Sequence, residues 1–296
     1  MDRMFKWLLP ALIVVEVILV RAGVLDLTAA VVVVVGIEVL LLLVAARQIA
    51  VAVRRYRRDR AGGLDLWEAL EGGLAVLLPR RIARLAALEP LLWICLGRWL
   101  LRRHHASDSE FSYHKDSIVG PFLVVVLFTT PVEVLLFELL IPWAWVRWML
   151  LVGAIYMLFW VFGFYASLVV LSHRLEATGM RLHYGVLADG RIPYAEIAGV
   201  ERERLRSPGG RDGLRVAREE NAAYLAVGGE TDVTLRLHSP VALHGLLGPT
   251  IPVATVHLAA DDPQRLAGEL GRRVEDEAVK AGQGSDGLPN TSQEPS

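Results

Sequence analysis

The sequence predicts a membrane α-helical protein: four transmembrane helices joined to a small all-β barrel or sandwich that a C-terminal helix closes. Three observations carry this. Hydrophobic residues make up 54% of the 296 residues, more than a soluble domain carries. Four apolar runs approach or exceed the roughly 20 helical residues that a bilayer core of ~30 Å requires. From His173 onward the hydrophobic pattern shortens from helical to alternating.

The first span covers about 5–21, "FKWLLPALIVVEVILVR", and the second about 24–46. The first has a basic start, as a signal peptide would. No small-residue cleavage site follows it, so the run reads as a retained helix. The third and fourth spans cover about 118–141 and 144–172. Residues 1–46 and 118–172 are therefore two helical hairpins. Residues 47–117 join them, 173–280 form the β domain, and 281–296, rich in Gly, Ser, Pro and Gln, read as a disordered tail.

Basic residues near the span ends set the orientation. "RQIAVAVRRYRRDR" holds six arginines in fourteen residues, while the other two connections are short and almost uncharged. The linker 47–117 and both termini are thus expected in the cytoplasm. Trp143, Trp145 and Trp148 mark the outer interface and Trp7 the inner one. Scarce lysine beside abundant arginine, with excess Ala, Val, Leu and Gly, is the composition of a high-GC bacterial genome. The expected location is the bacterial plasma membrane. One cysteine, Cys95, excludes an internal disulfide and reads as a buried thiol.

The linker reads as two or three helices punctuated by Pro79 and Pro90. Residues 47–103 hold twelve arginines against five acids, a net of +7. Arg54, Arg55, Arg57 and Arg58 lead, Arg80, Arg81 and Arg84 follow, and Arg98, Arg102 and Arg103 end the segment. Such helices can lie in the headgroup layer with arginine on anionic lipid of the inner leaflet. They can equally pack on the cytoplasmic domain. No aromatic–basic interleaving or recognition helix points to nucleic acid.

In the β domain, "HRLEATGMRLHYGVLADGRIPYAEIAGVERER" predicts strands with a tight turn at Asp189-Gly190. "AAYLAVGGETDVTLRLHS" predicts a second hairpin turning at Gly228-Gly229, and "ATVHLAA" a last strand. The closing helix starts at Asp262 as N-cap with Pro263 next. Leu266, Leu270 and Val274 give it one apolar stripe.

Several of these residues carry a resemblance. Gly179, Leu182, Asp189-Gly190, Ile192-Pro193-Tyr194, Ile197 and Val200, behind a hydrophobic hairpin, resemble the bacterial pleckstrin-homology-like segments of actinobacterial membrane proteins. "FSYHKDSIVGPFLVVVLFTTPVEVLLFELL" and "DVTLRLHSPVALHGLLG" resemble parts of one uncharacterised membrane-protein family of this kind, over residues 64–275. The resemblance implies a fold and an interaction module. It implies neither catalytic residues nor a headgroup ligand, because the short Thr178-Gly179 connection lacks the basic loop with which animal pleckstrin-homology domains hold phosphoinositides.

Four glutamates lie inside the spans. Glu16 and Glu138 are shallow, level with Arg21 and Arg147, and read as interfacial ion pairs. At 1.5 Å per residue Glu133 and Glu38 each lie more than about 10 Å from either end of their spans, where an ionisable group is expensive and is usually buried against protein. Thr129 sits one turn before Glu133 on the same face. Glu38, Glu133 and Thr129 form the candidate intramembrane polar site. As neutral carboxyls the glutamates would donate hydrogen bonds that fix helix packing; the functional alternative is a proton or cation relay.

Residues 102–117 gather His104, His105, Asp108, Glu110, His114 and Asp116. A divalent metal and an enzyme acting on lipid are conceivable there, but the spacing matches no helical His pair. No GxSxG or HExxH motif is present, "PGGRDG" lacks the Lys-Ser/Thr of a phosphate loop, and no motif asks for a cofactor. The expected function is a non-enzymatic membrane-anchored interaction or scaffold protein, its partner another protein or a second copy. The rival is a small proton- or cation-coupled transporter.

Overall fold

The computed structural model describes residues 27–64, 66–101, 108–246 and 248–285. The first expected span, Glu16, Arg21, Arg102, Arg103, His104, His105 and most of the expected tail lie outside them, as do the side chains of Glu38, Arg80 and Arg81. The chain divides into two compact units, residues 1–83 and 84–296.

In the first unit, α1 (Leu27–Ala61) pairs with α2 (Leu66–Leu74). α1 does not stop at residue 46. It continues as one helix through the basic segment, because "RQIAVAVRRYRRDR" contains no Gly or Pro to end it. It ends at Gly62-Gly63, Gly63 with φ +83°, where the Arg60 guanidinium donates to the Leu64 carbonyl at 2.8 Å. Gly73 lets α2 close on α1, since a Cβ there would stand 3.1 Å from the Ala52 carbonyl oxygen.

The second unit holds nearly all of α3 (Arg80–Leu100), then β1 (Glu110–Phe111), α4 (Val119–Leu140), α5 (Ala144–Val170) and the sheets. Pro90 does not break α3. It removes one backbone donor, and buried Ala87, Leu88, Leu91 and Leu92 on either side hold the helix across the gap. α4 and α5 form an antiparallel hairpin, and both are long and apolar enough to cross a membrane. In α4 the Thr130 hydroxyl donates to the Val126 carbonyl at 2.7 Å, next to Pro131.

The β region is an open pair of sheets and not a closed barrel. After α5 come β2 (His173–Leu175), β3 (Gly179–Tyr184), β4 (Ala188–Pro193), β5 (Ile197–Arg206), β6 (Gly213–Ala217), β7 (Ala222–Ala226), β8 (Glu230–Val241), β9 (His244–Gly245), β10 (Gly248–Pro249) and β11 (Val253–Leu258). One sheet runs β1-β2-β3-β4-β9-β10, the other β5-β8-β11-β7-β6. Helix α6 (Pro263–Ser285) closes the domain, its N-terminus capped by Asp262, which accepts the Arg265 N–H at 3.0 Å. Leu266 and Leu270 of α6 enter one core with Leu182, Ile192, Leu235 and Val256.

Two expected turns are corrected. Asp189-Gly190 is not a turn; it lies within β4, opposite His183 and Leu182. The reversal falls at Gly185, with φ +46°. Gly190 is small because Leu243 lies over it, 2.4 Å from where a Cβ would stand. The segments around Gly228-Gly229 turn as expected but do not pair as a hairpin. β11 inserts between them, antiparallel to β8 and parallel to β7. Burial on both faces favours this insertion, since β7 is buried along its whole length.

Candidate functional site at the hairpin base

The chain reaches the hairpin through the β domain and returns to it. β1 precedes α4, β2 follows α5, and the two pair directly, Glu110 with Arg174 and Phe111 with His173. Their side chains add a 2.5 Å ion pair between Arg174 and Glu110. The 102–117 segment is therefore partly a strand of this domain, which alternation over two residues was too short to signal.

Tyr113 sits at the centre of the junction, buried in full. Its hydroxyl accepts the Gly185 N–H at 2.7 Å and donates to the Leu171 carbonyl at 2.9 Å, so one side chain ties the end of α5 to the β3–β4 turn. Burial pushes this phenol far above its ordinary value. Gly185 is close enough to α5 that a Cβ would stand 2.6 Å from the Ser167 hydroxyl. Tyr113→Phe would strand the buried Gly185 N–H and is expected to cost about 1–3 kcal/mol, read by thermal unfolding of the protein in detergent.

His173 stacks on Tyr113 with ring centroids 4.6 Å apart. Its Nδ1 accepts the His183 N–H at 3.2 Å, which leaves Nε2 protonated to donate to the Ala259 carbonyl at 3.2 Å. Burial first, then neighbouring His183, pushes its pKa down to about 3. The folded chain keeps this imidazole neutral while the unfolded chain takes a proton near 6.5. Stability from this residue is therefore full above about 6.5 and drains as pH falls toward 3. His173→Gln should flatten that limb of a stability–pH curve measured by chemical denaturation.

Beside this junction lies a buried ion pair. The Arg84 guanidinium of α3 donates to Asp189 of β4 at 2.9 Å, with Arg84 only 5% exposed. Arg84 thus leaves the expected membrane-surface set: its charge is spent inside the protein. Burial raises the Asp189 pKa, and Arg84, His244 and Arg181 pull it back. Nearby, Glu176 faces Arg191 at 3.3 Å and Arg181 at 4.0 Å.

The other expected residues fall elsewhere. Arg54, Arg55, Arg57 and Arg58 are exposed on α1, Arg55 facing Asp59 at 3.7 Å, and Arg98 is exposed on α3. Glu133 and Thr129 are exposed on α4. Thr129 turns its hydroxyl to the Val126 carbonyl at 3.4 Å, away from Glu133. The helix's own backbone is the nearer acceptor, as is common for hydroxyls in apolar helices. Arg147 and Glu138 line one hollow with Trp148, but Arg147 donates to the Glu138 backbone carbonyl at 3.4 Å. The structure thus joins neither Thr129 to Glu133 nor Arg147 to the Glu138 carboxylate.

A second polar row crosses the other sheet. His257 stacks on Tyr224 at 4.4 Å and meets Thr234 through Nδ1 at 2.8 Å, and Tyr224 donates to Glu220 at 2.5 Å. Burial lowers the His257 pKa. Among the described residues no group of three or more His, Cys, Asp or Glu is placed to hold a metal.

Sequence reading passed over Tyr113 and His173, and it put Arg84 on the membrane surface and Asp189 in a turn. Arg84 and Asp189 are 105 positions apart, and the Asp-Gly step argued for a turn. Compared with protein-family models, curated proteins and solved structures, the chain matches none.

Proposed function

We propose that this chain is a multi-pass protein of a bacterial inner membrane, with four spans and both ends inside, that presents its C-terminal two-sheet domain as an interaction or scaffold module without enzymatic activity. The observation that supports this most is the weld at the hairpin base. β1 and β2 pair across the entry and exit of the hairpin, and Tyr113 fastens the end of α5 to the β3–β4 turn. A domain tied at so many points keeps one pose on its anchor, which lowers the entropy lost when a partner binds. The pleckstrin-homology-like resemblance fits the same role. The partner is a protein or a second copy of this chain, with anionic lipid beneath the basic segment. Crosslinking of the full-length protein in its membrane, followed by capture, is expected to recover one reproducible partner. Recovery of none removes the support.

The second reading, proton- or cation-coupled transport, is favoured by one observation: Glu133 lies on an exposed face of an apolar helix. Proteoliposomes carrying wild type, Glu38→Gln and Glu133→Gln separate the two. A scaffold gives no flux above empty liposomes. Flux that either substitution abolishes identifies a relay.

A further inference from the structure

α3 has two apolar faces, and among the described residues protein covers one of them. Arg84, Ala87, Leu88, Leu91, Leu92 and Cys95 are buried. At 100° per residue, Leu85, Glu89, Trp93, Leu96 and Leu100 recur at three- and four-residue steps on the other side. There Trp93 is 54% exposed and Leu100 66% exposed. Soluble helices place polar residues on such a face.

This face continues the surface of the hairpin. Trp93 stacks on Phe159 of α5 at 3.6 Å, and Trp99 meets Tyr165 edge-on at 5.9 Å. Gly163 admits the helix: a Cβ there would stand 3.1 Å from the Leu92 Cβ. The level of this crossing along α5 is informative. Trp145 belongs to the aromatic cluster at the hairpin tip. From Trp145 to Gly163 the helix rises about 27 Å, and to Tyr165 about 30 Å. A hydrocarbon core is ~30 Å thick. The close approach at Gly163 and the Tyr165 contact therefore fall near the opposite boundary of the bilayer, and the Phe159 contact, about 21 Å from Trp145, falls inside it. The charged member of the exposed stripe, Glu89, reaches farther toward the core: it accepts the Tyr156 hydroxyl at 3.2 Å, and Tyr156 lies about 17 Å along α5 from Trp145.

We propose that α3 is a lipid-facing anchor, with the stripe Leu85–Glu89–Trp93–Leu96–Leu100 set into the lipid of the leaflet nearer the two-sheet domain and its buried face carrying that domain. The inference rests on the membrane reading above and deepens it. The occupant is phospholipid, because the stripe is continuous, through Trp93 on Phe159, with the exposed apolar surface of the hairpin. The Arg84–Asp189 pair then transmits the helix's position to β4.

The test uses full-length protein in liposomes, with Cys95→Ala so that introduced cysteines are unique. Spin labels go to Leu85→Cys, Leu96→Cys and Leu100→Cys. Phe128→Cys on α4 serves as a lipid reference and Arg211→Cys, on an exposed β-domain loop, as a water reference. Relaxation by oxygen against a nickel chelate reads depth. The expected result is an oxygen-to-nickel ratio at all three α3 sites several-fold above Arg211 and below Phe128. Ratios equal to Arg211 overturn the proposal while a lipid-immersed Phe128 label leaves the hairpin reading intact. Sites closed to both relaxants also overturn it, since protein would then cover the face. Absence of a captured partner in the crosslinking experiment leaves these ratios unchanged.

Discussion

Arg84→Met should destabilise the protein by about 3–5 kcal/mol, the usual cost of leaving one member of a buried ion pair alone. Asp189 would lose its closest cation, at 2.9 Å, and keep only the weaker pulls of His244 and Arg181. The double variant Arg84→Met/Asp189→Asn should recover part of the loss, because the stranded charge is gone. The pH dependence has a defined sign. Burial holds the Asp189 pKa above its ordinary value of 3.8 even with Arg84 present. The folded state therefore binds this proton more readily than the unfolded state does. The residue's contribution is full below the unfolded value and is lost as pH rises through the folded one. Arg84→Met raises the folded value further and extends that loss to higher pH. Denaturant unfolding across pH, wild type against variant, reads both effects.

Gly179→Ala is the second large effect. A Cβ at Gly179 would stand 2.5 Å from the Ile192 carbonyl oxygen and 2.9 Å from the Pro193 Cα. Both are backbone atoms, so no rotamer can relieve the contact. β3 and β4 must separate at Gly179–Pro193, the first rung of their ladder. The expected cost is about 3 kcal/mol or more, the upper end for overpacking a close-packed interior. Gly199→Ala is the matched control. It also lies in a strand, yet a Cβ there meets nothing within 4 Å, so its melting temperature should stay near that of the wild type.

How much of this was legible in the sequence differs by element. The second hairpin was: expected spans of 118–141 and 144–172 meet helices Val119–Leu140 and Ala144–Val170, because an unbroken apolar run needs no partner to declare itself. The closing helix was legible too, since Asp262, Pro263 and the Leu266/Leu270 stripe are local signals. Order within the sheets was not. The β11 insertion depends on which strands can be buried on both faces, a property of the assembled pair of sheets. Asp189-Gly190 misled for the same reason. Its aspartate answers to Arg84 and its glycine to Leu243, and neither neighbour is near in sequence. The junction was invisible because Tyr113 looks like any loop tyrosine until Leu171 and Gly185 surround it. The carboxylates of the expected spans were conspicuous, but Thr129 bonds its own helix.

The most direct measurement is the sidedness of single cysteines in intact cells, in the Cys95→Ala background. Three positions are needed: Ala144→Cys at the tip of the α4–α5 hairpin, Arg211→Cys in the two-sheet domain, and Gly23→Cys between the first two expected spans. A four-span scaffold with an internal domain predicts that a membrane-impermeant maleimide labels Gly23→Cys and Ala144→Cys from outside. Arg211→Cys should react only after the membrane is opened. Equal labelling of Ala144→Cys and Arg211→Cys in intact cells would contradict it, because the hairpin would then not separate its tip from the domain.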